Sequence, residues 1–408
     1  MNAKIYCLSD KYLLGRNQSS NITSLSKFLF SKGIRIDNIN ILPNLPQSDF
    51  DSITKYESKQ NLYLYLVDSA TSFEFIVSHL CSKLSLEREV NELAKKIISK
   101  KFSDQNLPLT KDAELFWNIP KTSHIVENIY SNIQGVVANS GADNYLILPA
   151  DKKELIPTLI KSLQIIGVDQ QKYKNNQTFK CFGLKDDEVK NVLSDLIKNK
   201  DKVSITTFAN GLNVDILIKS KSEENVFSQY VGKVFERLSK HIYAEEDISM
   251  EQALFQLLKS HNSTFSICES ITCGNVVNRL IKTTSEANNF IKSNIVFSNP
   301  TSILKGISVD EKIILTHGKA SAQTAYQLCL NMLTETGADL ACSNIFEFTS
   351  SNSCTCLIAL GDKSAIHVYK NTFYGDRDEI IEEATQATYF YIIKKLRKND
   401  FHFPKKIV

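Results

Sequence analysis

The residues best placed to do chemistry lie in STFSICESITCGNVVNRLI, residues 263–281. Four residues of strand type, Thr264 to Ile267, run into the polar turn Cys268-Glu269-Ser270-Ile271-Thr272-Cys273-Gly274. Apolar residues then recur at helical spacing at Val276, Val277, Leu280 and Ile281. A hydroxyl-rich turn at a helix start suits an attacking hydroxyl or a bound anion, because unpaired amides point out of the helix there. The same residues also suit an ordinary capped turn, so the stretch alone does not separate the two.

The elements around the turn form a recurring pattern. Residues 3–8, 34–41 and the apolar run LYLYLV (62–67) read as strands, and residues 21–32, 86–101 and 152–163 as helices. A strand pair is expected at 135–138 and 145–148. This alternation predicts a doubly wound α/β domain over 1–172. After the polar stretch GVDQQKYKNNQ, the segments TFKCF, DDEVKNVLSDLIKN, KVSITTFA, VDILIKS and EENVFSQYVGKVFERLSKHI predict a small α+β module over 173–245. Its NGLN turn is the best local hairpin signal in the chain. A second doubly wound α/β domain is expected over 246–408. Ser249 caps its first helix, strands follow the turn at 294–297, 340–343, 356–360 and 365–369, and helices fill 320–336 and 377–398.

Composition narrows the function classes. The chain has 408 residues, 42% apolar and 23% charged, the balance of a globular protein. No apolar run approaches the roughly 18–20 residues of a membrane span. The first residues, MNAKIYCLSDKYLL, show no apolar export segment, so a cytoplasmic location is expected. Nine scattered cysteines fit reduced thiols, and no CxxC or His-x-His pair offers a metal site. The net charge of +3 lies in mixed-sign runs, which argues against nucleic acid as a partner. Only 14 glycines is about half the usual ~7% share, which is sparse for phosphate cradles.

Further along, Phe297-Ser298-Asn299 ends a strand, followed by Thr316-His317-Gly318-Lys319-Ala320-Ser321, Gly337-Ala338-Asp339-Leu340-Ala341 and Tyr374-Gly375-Asp376-Arg377. This succession resembles the C-terminal domain of the CinA (competence/damage-inducible protein A) family, whose order is ESCTGG, YSNxxK, HGAVS, a GIAGP loop and GDR. TFKCFGLKDDEV and HIYAEEDISMEQAL also look like the family's middle region. LSDKYLLGRNQSSN stands where its molybdopterin-binding-type N-terminal domain has GDELLLGxxxxxN. The likeness spans the chain, strongly over 177–408 and faintly over 1–172.

The resemblance implies a C-terminal domain that deamidates nicotinamide mononucleotide, and an N-terminal domain associated with ADP-ribose hydrolysis. By position the resemblance implies Ser270 as the nucleophile, Glu269, Thr272 and Gly274 as parts of the same anion-holding turn, and Asn299 and Arg377 as ligand-binding residues. The resemblance also implies a homodimer and a nucleotide-like ligand, with no metal and no cofactor.

The departures from the family pattern point to eroded sites. Cys273 replaces a glycine, Phe297 a tyrosine and Ser302 the expected basic lysine, with Lys305 one helical turn further on. The GIAGP loop has become Phe346-Glu347-Phe348-Thr349-Ser350. A general base contributes ~10²–10⁴-fold and an oxyanion donor ~10²–10³-fold, so their loss stretches a ~10 s⁻¹ turnover to minutes or far longer. In the N-terminal domain Lys11 replaces an acid, and only Asp68 and Glu74 remain of an acid- and glycine-rich loop. Pro149–Leu155 replaces a PGVPxEM segment, so few oxygen ligands are left for a divalent ion. The middle module resembles a KH fold without its GxxG clamp. The expectation is a degraded CinA-like protein. It would keep residual nucleotide binding, remain an active amidohydrolase, or serve as a structural partner without a ligand.

Overall fold

The computed structural model describes residues 1–14, 20–43, 50, 62–168, 175–198, 203–220, 224–297 and 309–398. The chain divides into two compact units, Met1–Lys174 and Asn175–Val408.

The first unit is built on a six-stranded sheet. Its strands are β1 (Asn2–Leu8), β2 (Arg35–Leu42), β3 (Leu62–Val67), β6 (His124–Val126), β7 (Gly135–Ser140) and β8 (Asp143–Pro149), in the order β2-β1-β3-β8-β7-β6. A separate ribbon pairs β4 (Arg88–Val90) with β5 (Asn118–Pro120). β2, β1, β3 and β8 are parallel, while β7 and β6 add an antiparallel margin. β3 explains why the apolar run LYLYLV is so regular. Leu62, Leu64 and Leu66 enter one core, with Leu25, Leu29, Leu155 and Leu159 of the helices Ser20–Ser31 and Lys152–Ile165. Tyr63, Tyr65 and Val67 enter the other, with Phe73, Ile76 and Ile98 of the helices Ala70–Leu84 and Glu92–Asp104. A strand with helices on both faces must be apolar at every position.

Two sequence expectations are corrected here. Residues 86–101 do not form one helix. Arg88–Val90 is a strand, and Asn91 caps a helix that begins at Glu92 by accepting from the Ala94 amide at 3.0 Å. The helix Ala70–Leu84 stands where the family pattern implies a loop around Asp68 and Glu74; Ser69 and Ser72 close a capping box at its start.

The second unit holds two sheets. The smaller has the order β10-β11-β9-β12, from β9 (Asn175–Phe182), β10 (Val203–Asn210), β11 (Asn213–Ser220) and β12 (Ile242–Ala244). The β10–β11 hairpin turns at Gly211, whose φ of +60° suits a residue without a Cβ. β12, from HIYA, is a strand that the sequence patterns do not single out. Helices Asp186–Val192, Ser194–Lys198 and Glu224–Leu238 cover one face through Val189, Leu193, Leu196, Val234 and Leu238.

The larger sheet runs β14-β13-β15-β16-β17, from β13 (Phe265–Glu269), β14 (Ile291–Val296), β15 (Leu340–Ser350), β16 (Ser353–Gly361) and β17 (Ile366–Tyr374). β14, β13 and β15 are parallel, and β16 and β17 form an antiparallel meander beside them. Phe265, Ile267, Leu340 and Cys342 face the helices Met250–His261, Asn275–Thr283 and Arg377–Lys398. Cys268, Ala341 and Ile345 face the helix Ala322–Thr336 on the other side. Both units are thus mixed α/β structures with helices on both faces of a sheet, and an α+β module lies between the two larger sheets in the chain. No helix among the described residues is long and apolar enough to cross a membrane.

Candidate functional site

β13 ends at Glu269, and the chain must reverse to start the helix Asn275–Thr283 on the same face. It does so through two consecutive left-handed residues, Cys273 (φ +52°) and Gly274 (φ +85°). Such a reversal favours glycine at the second position. Gly274 is the residue before the helix and offers no side chain to cap it.

The cap comes instead from Glu269. Its carboxylate is fully buried and accepts from the Val276 amide at 3.1 Å and the Val277 amide at 3.2 Å. The Thr272 hydroxyl donates to it at 2.6 Å. Burial pushes the Glu269 carboxyl above the usual carboxylate range, and the Thr272 hydroxyl and the helix amides work against that rise. The amides that could hold a foreign anion are therefore turned onto a carboxylate of the chain itself.

A second buried side chain completes the turn. Asn344 on β15 lies beside Glu269 in register and is fully buried. Its Oδ1 accepts from the Ser270 amide at 2.8 Å, and its Nδ2 donates to Thr272 Oγ1 at 2.9 Å. The Tyr389 hydroxyl, on the last helix, donates to the Val276 carbonyl at 2.5 Å. Asn344 was not anticipated. The available signal was the polar pair Ser343-Asn344 inside the apolar run LACSNIF, since a buried amide must find partners.

Ser270 is 5% exposed, and its hydroxyl lies 3.5 Å from the Phe297 carbonyl, at the outer limit of a hydrogen bond. A carbonyl oxygen accepts a hydrogen bond but does not take up a proton as a base. Among the described residues, no carboxylate, imidazole or amine is hydrogen-bonded to Ser270 Oγ. Among the described residues, the arrangement holds the serine in place through the Phe297 carbonyl and the Asn344 side chain.

Glu269, Ser270, Thr272 and Gly274 thus come together in one turn. Asn299, Ser302 and Lys305 lie outside the described residues. Arg377 is exposed in the first turn of the last helix and has no hydrogen bond or ion pair to the turn among the described residues. It stands about 18 Å along the helix axis from Tyr389, at ~1.5 Å per residue. Asp376 and Glu379 cap the start of that helix reciprocally, each bond 2.9 Å. Phe297 packs with Cys268, Val309 and Ile314 on the face opposite the Asn275–Thr283 helix. Phe346–Ser350 continues β15 as a strand rather than a loop, and the Phe346 and Phe348 rings meet edge to face at 5.4 Å.

In the first unit, Asp68 accepts from the Ser9 hydroxyl at 2.6 Å, and Glu74 pairs with Arg88 at 2.5 Å. Asp151 caps the helix Lys152–Ile165 through the Lys153 amide at 2.9 Å. Among the described residues, no three His, Cys, Asp or Glu side chains converge as a metal site.

Comparison with known proteins points the same way as the motifs. Residues 247–396 match the CinA C-terminal domain family. A competence-damage inducible protein of Caldicellulosiruptor saccharolyticus is 24% identical over 95% of this chain and 97% of its own length. A CinA-like protein of Sulfurihydrogenibium sp. is 23% identical over 93% and 95%. Residues 247–396 thus carry a CinA C-terminal domain, and the chain as a whole is similar to divergent CinA-like proteins. A solved CinA superfamily protein from Klebsiella pneumoniae, 16% identical, covers 37% of this chain and 99% of its own, with a TM-score of 0.34. The matched CinA C-terminal domain contains both the Glu269–Gly274 turn and the Arg377 helix start, so the motifs that depart from the family pattern fall inside it rather than beside it.

Proposed function

We propose that this chain is a CinA-like protein related to the nicotinamide mononucleotide amidohydrolases of pyridine nucleotide recycling, in which amide hydrolysis is strongly reduced or lost. Its C-terminal domain, 246–408, keeps a remnant nucleotide site at Ser270, Thr272 and Arg377. Residues 1–172 are a degenerate molybdopterin-binding-like domain, and 173–245 are a KH-like spacer. The working form is a homodimer in the reducing cytoplasm, which fits nine free cysteines with no disulfide.

The observation that carries the reading is the state of the turn. Glu269 already occupies the helix amides, and among the described residues the Ser270 hydroxyl meets only the Phe297 carbonyl. An amidohydrolase needs a base on its nucleophile and free donors for the oxyanion. The test is ammonia release from nicotinamide mononucleotide over hours at high protein concentration, run beside Ser270→Ala. No release is expected from either protein. Release that vanishes in Ser270→Ala would establish a working serine and replace this reading. Calorimetry with the mononucleotide then tests the remnant site. Binding weakened by Arg377→Ala is expected, and no heat at millimolar ligand would leave a purely structural role.

A further inference from the structure

Sheet edges are normally protected against pairing with another copy by charges, prolines, bulges or short length. Among the described residues, the longer sheet edges follow that rule with one exception. β2 carries Arg35 and Asp37, β14 carries Lys292, and β17 carries His367 and Lys370. β6 and β12 are three residues each. β10, VSITTFAN, has eight residues, no charged side chain and no proline. Among the described residues β11 is its only strand neighbour, and the two pair from Val203↔Ser220 to Asn210↔Asn213 without a bulge. Its composition is β-branched and aromatic, which suits a strand with another strand beside it.

We propose that β10 is the seam of a two-fold dimer, in which β10 of one copy pairs antiparallel with β10 of the other. The inference rests on the homodimer proposed above and assigns its contact. The identity of the partner follows from the charge pattern. Antiparallel pairing about a two-fold axis places a strand opposite itself, so any charge near its middle meets its own copy, and like charges directly opposite are destabilising. Among the described strands β10 is the one long edge with no charged side chain, so it can pair with itself in any register without that penalty. An acidic or basic partner peptide would find no complementary charge on it. Ser204, Thr206 and Phe208 project from the face away from the covering helices, and Phe208 is 52% exposed. Pairing would join two four-stranded sheets into one of eight.

Thr206 is exposed near the middle of the strand, so it tests the seam with little risk to the fold. The full-length chain should show a mass that rises with concentration from 46.1 kDa toward twice that value in light scattering or sedimentation. Thr206→Lys and Thr206→Glu, each checked by circular dichroism, should each raise the dissociation constant at least tenfold. Mixing the two variants should restore the dimer, because opposite charges then face each other across the axis. Ser204→Lys, on the same face, is the second blocking variant. A chain that is monomeric at every concentration overturns both the seam and the homodimer. A dimer that persists in both Thr206 variants leaves the homodimer standing but moves the seam elsewhere. Two monomeric variants that fail to combine show that β10 does not meet its own copy, which also overturns the proposal.

Discussion

Removing the Glu269 carboxylate should leave a hole of defined chemistry. Glu269→Ala strands the Val276 and Val277 amides and the Thr272 hydroxyl at the start of a helix. The expected loss is about 2–4 kcal/mol, the range for buried donors deprived of a charged acceptor. The vacated space faces the positive end of the helix dipole, so a small carboxylate should enter it. Acetate at tens of millimolar should raise the melting temperature of Glu269→Ala more than that of the wild type, and chloride at equal ionic strength should not. Equal acetate effects on both proteins would mean that the carboxylate is not the cap. Asn344→Ala removes a different part of the turn, the link from β15 to the Ser270 amide, and acetate should not repair it.

At the scale of elements, two joints set where the last helix begins and where it docks. Gly375 has φ +136°, and a Cβ there would overlap the Glu379 carboxylate that caps the helix. Gly375→Ala should therefore cost about 1–3 kcal/mol through strain and a lost cap, seen as a lower denaturation midpoint. Nearer the other end, Asp362 pairs with Lys395 at 2.8 Å. Burial works to raise the Asp362 carboxyl, but Lys395, the Ser364 hydroxyl and the Ser364 and Ala365 amides outweigh it and hold it well below the usual carboxylate range. A carboxyl depressed on folding stabilises the fold above its unfolded pKa of ~3.9 and loses that contribution as the pH falls toward the folded value. Asp362→Asn should thus cost about 1–2 kcal/mol at pH 7, and the gap to wild type should narrow on acidification below the unfolded pKa. A gap independent of pH would assign the loss to packing instead.

Elements also show what local sequence can tell. β3 is legible because burial on both faces forces the unbroken run LYLYLV, and the helix after Ser249 because its capping box is local. The helix Ala70–Leu84 was obscured because its serine-rich start also reads as a loop. β12 is three residues long, too short for a period, and it exists because β9 offers an edge. The turn residues 269–274 were legible for the same local reason as the caps. Asn344 was not, since its partners are supplied by a strand pairing 74 residues distant in sequence. That Glu269 fills its own helix start, rather than facing a ligand, follows from three-dimensional geometry alone.

Across the whole molecule, the cysteines give a direct test of which surfaces are accessible. Cys273 is exposed and Cys81 half-buried, while Cys7, Cys181, Cys268, Cys329, Cys342, Cys354 and Cys356 are buried. Burial pushes the thiols of Cys7, Cys181 and Cys329 up to about 12, so they hold little reactive thiolate near neutrality. A thiol reagent should titrate one fast group in the native protein, absent in Cys273→Ser, and all nine in denaturant. Several fast groups in the native protein would contradict the buried positions, most of which lie in the second unit.

The turn that Asn344 and Tyr389 complete has a consequence in time. Its own residues are made early, but Asn344 follows Ser270 by 74 positions and Tyr389 follows Val276 by 113. At the ~5–20 residues per second of synthesis, the asparagine arrives roughly 4–15 s after the serine, and the tyrosine later still. Until then Glu269 has no neighbouring β15 to hold it in place. A nascent chain thus carries an unfinished turn, and a message truncated before residue 340 yields one that can never close.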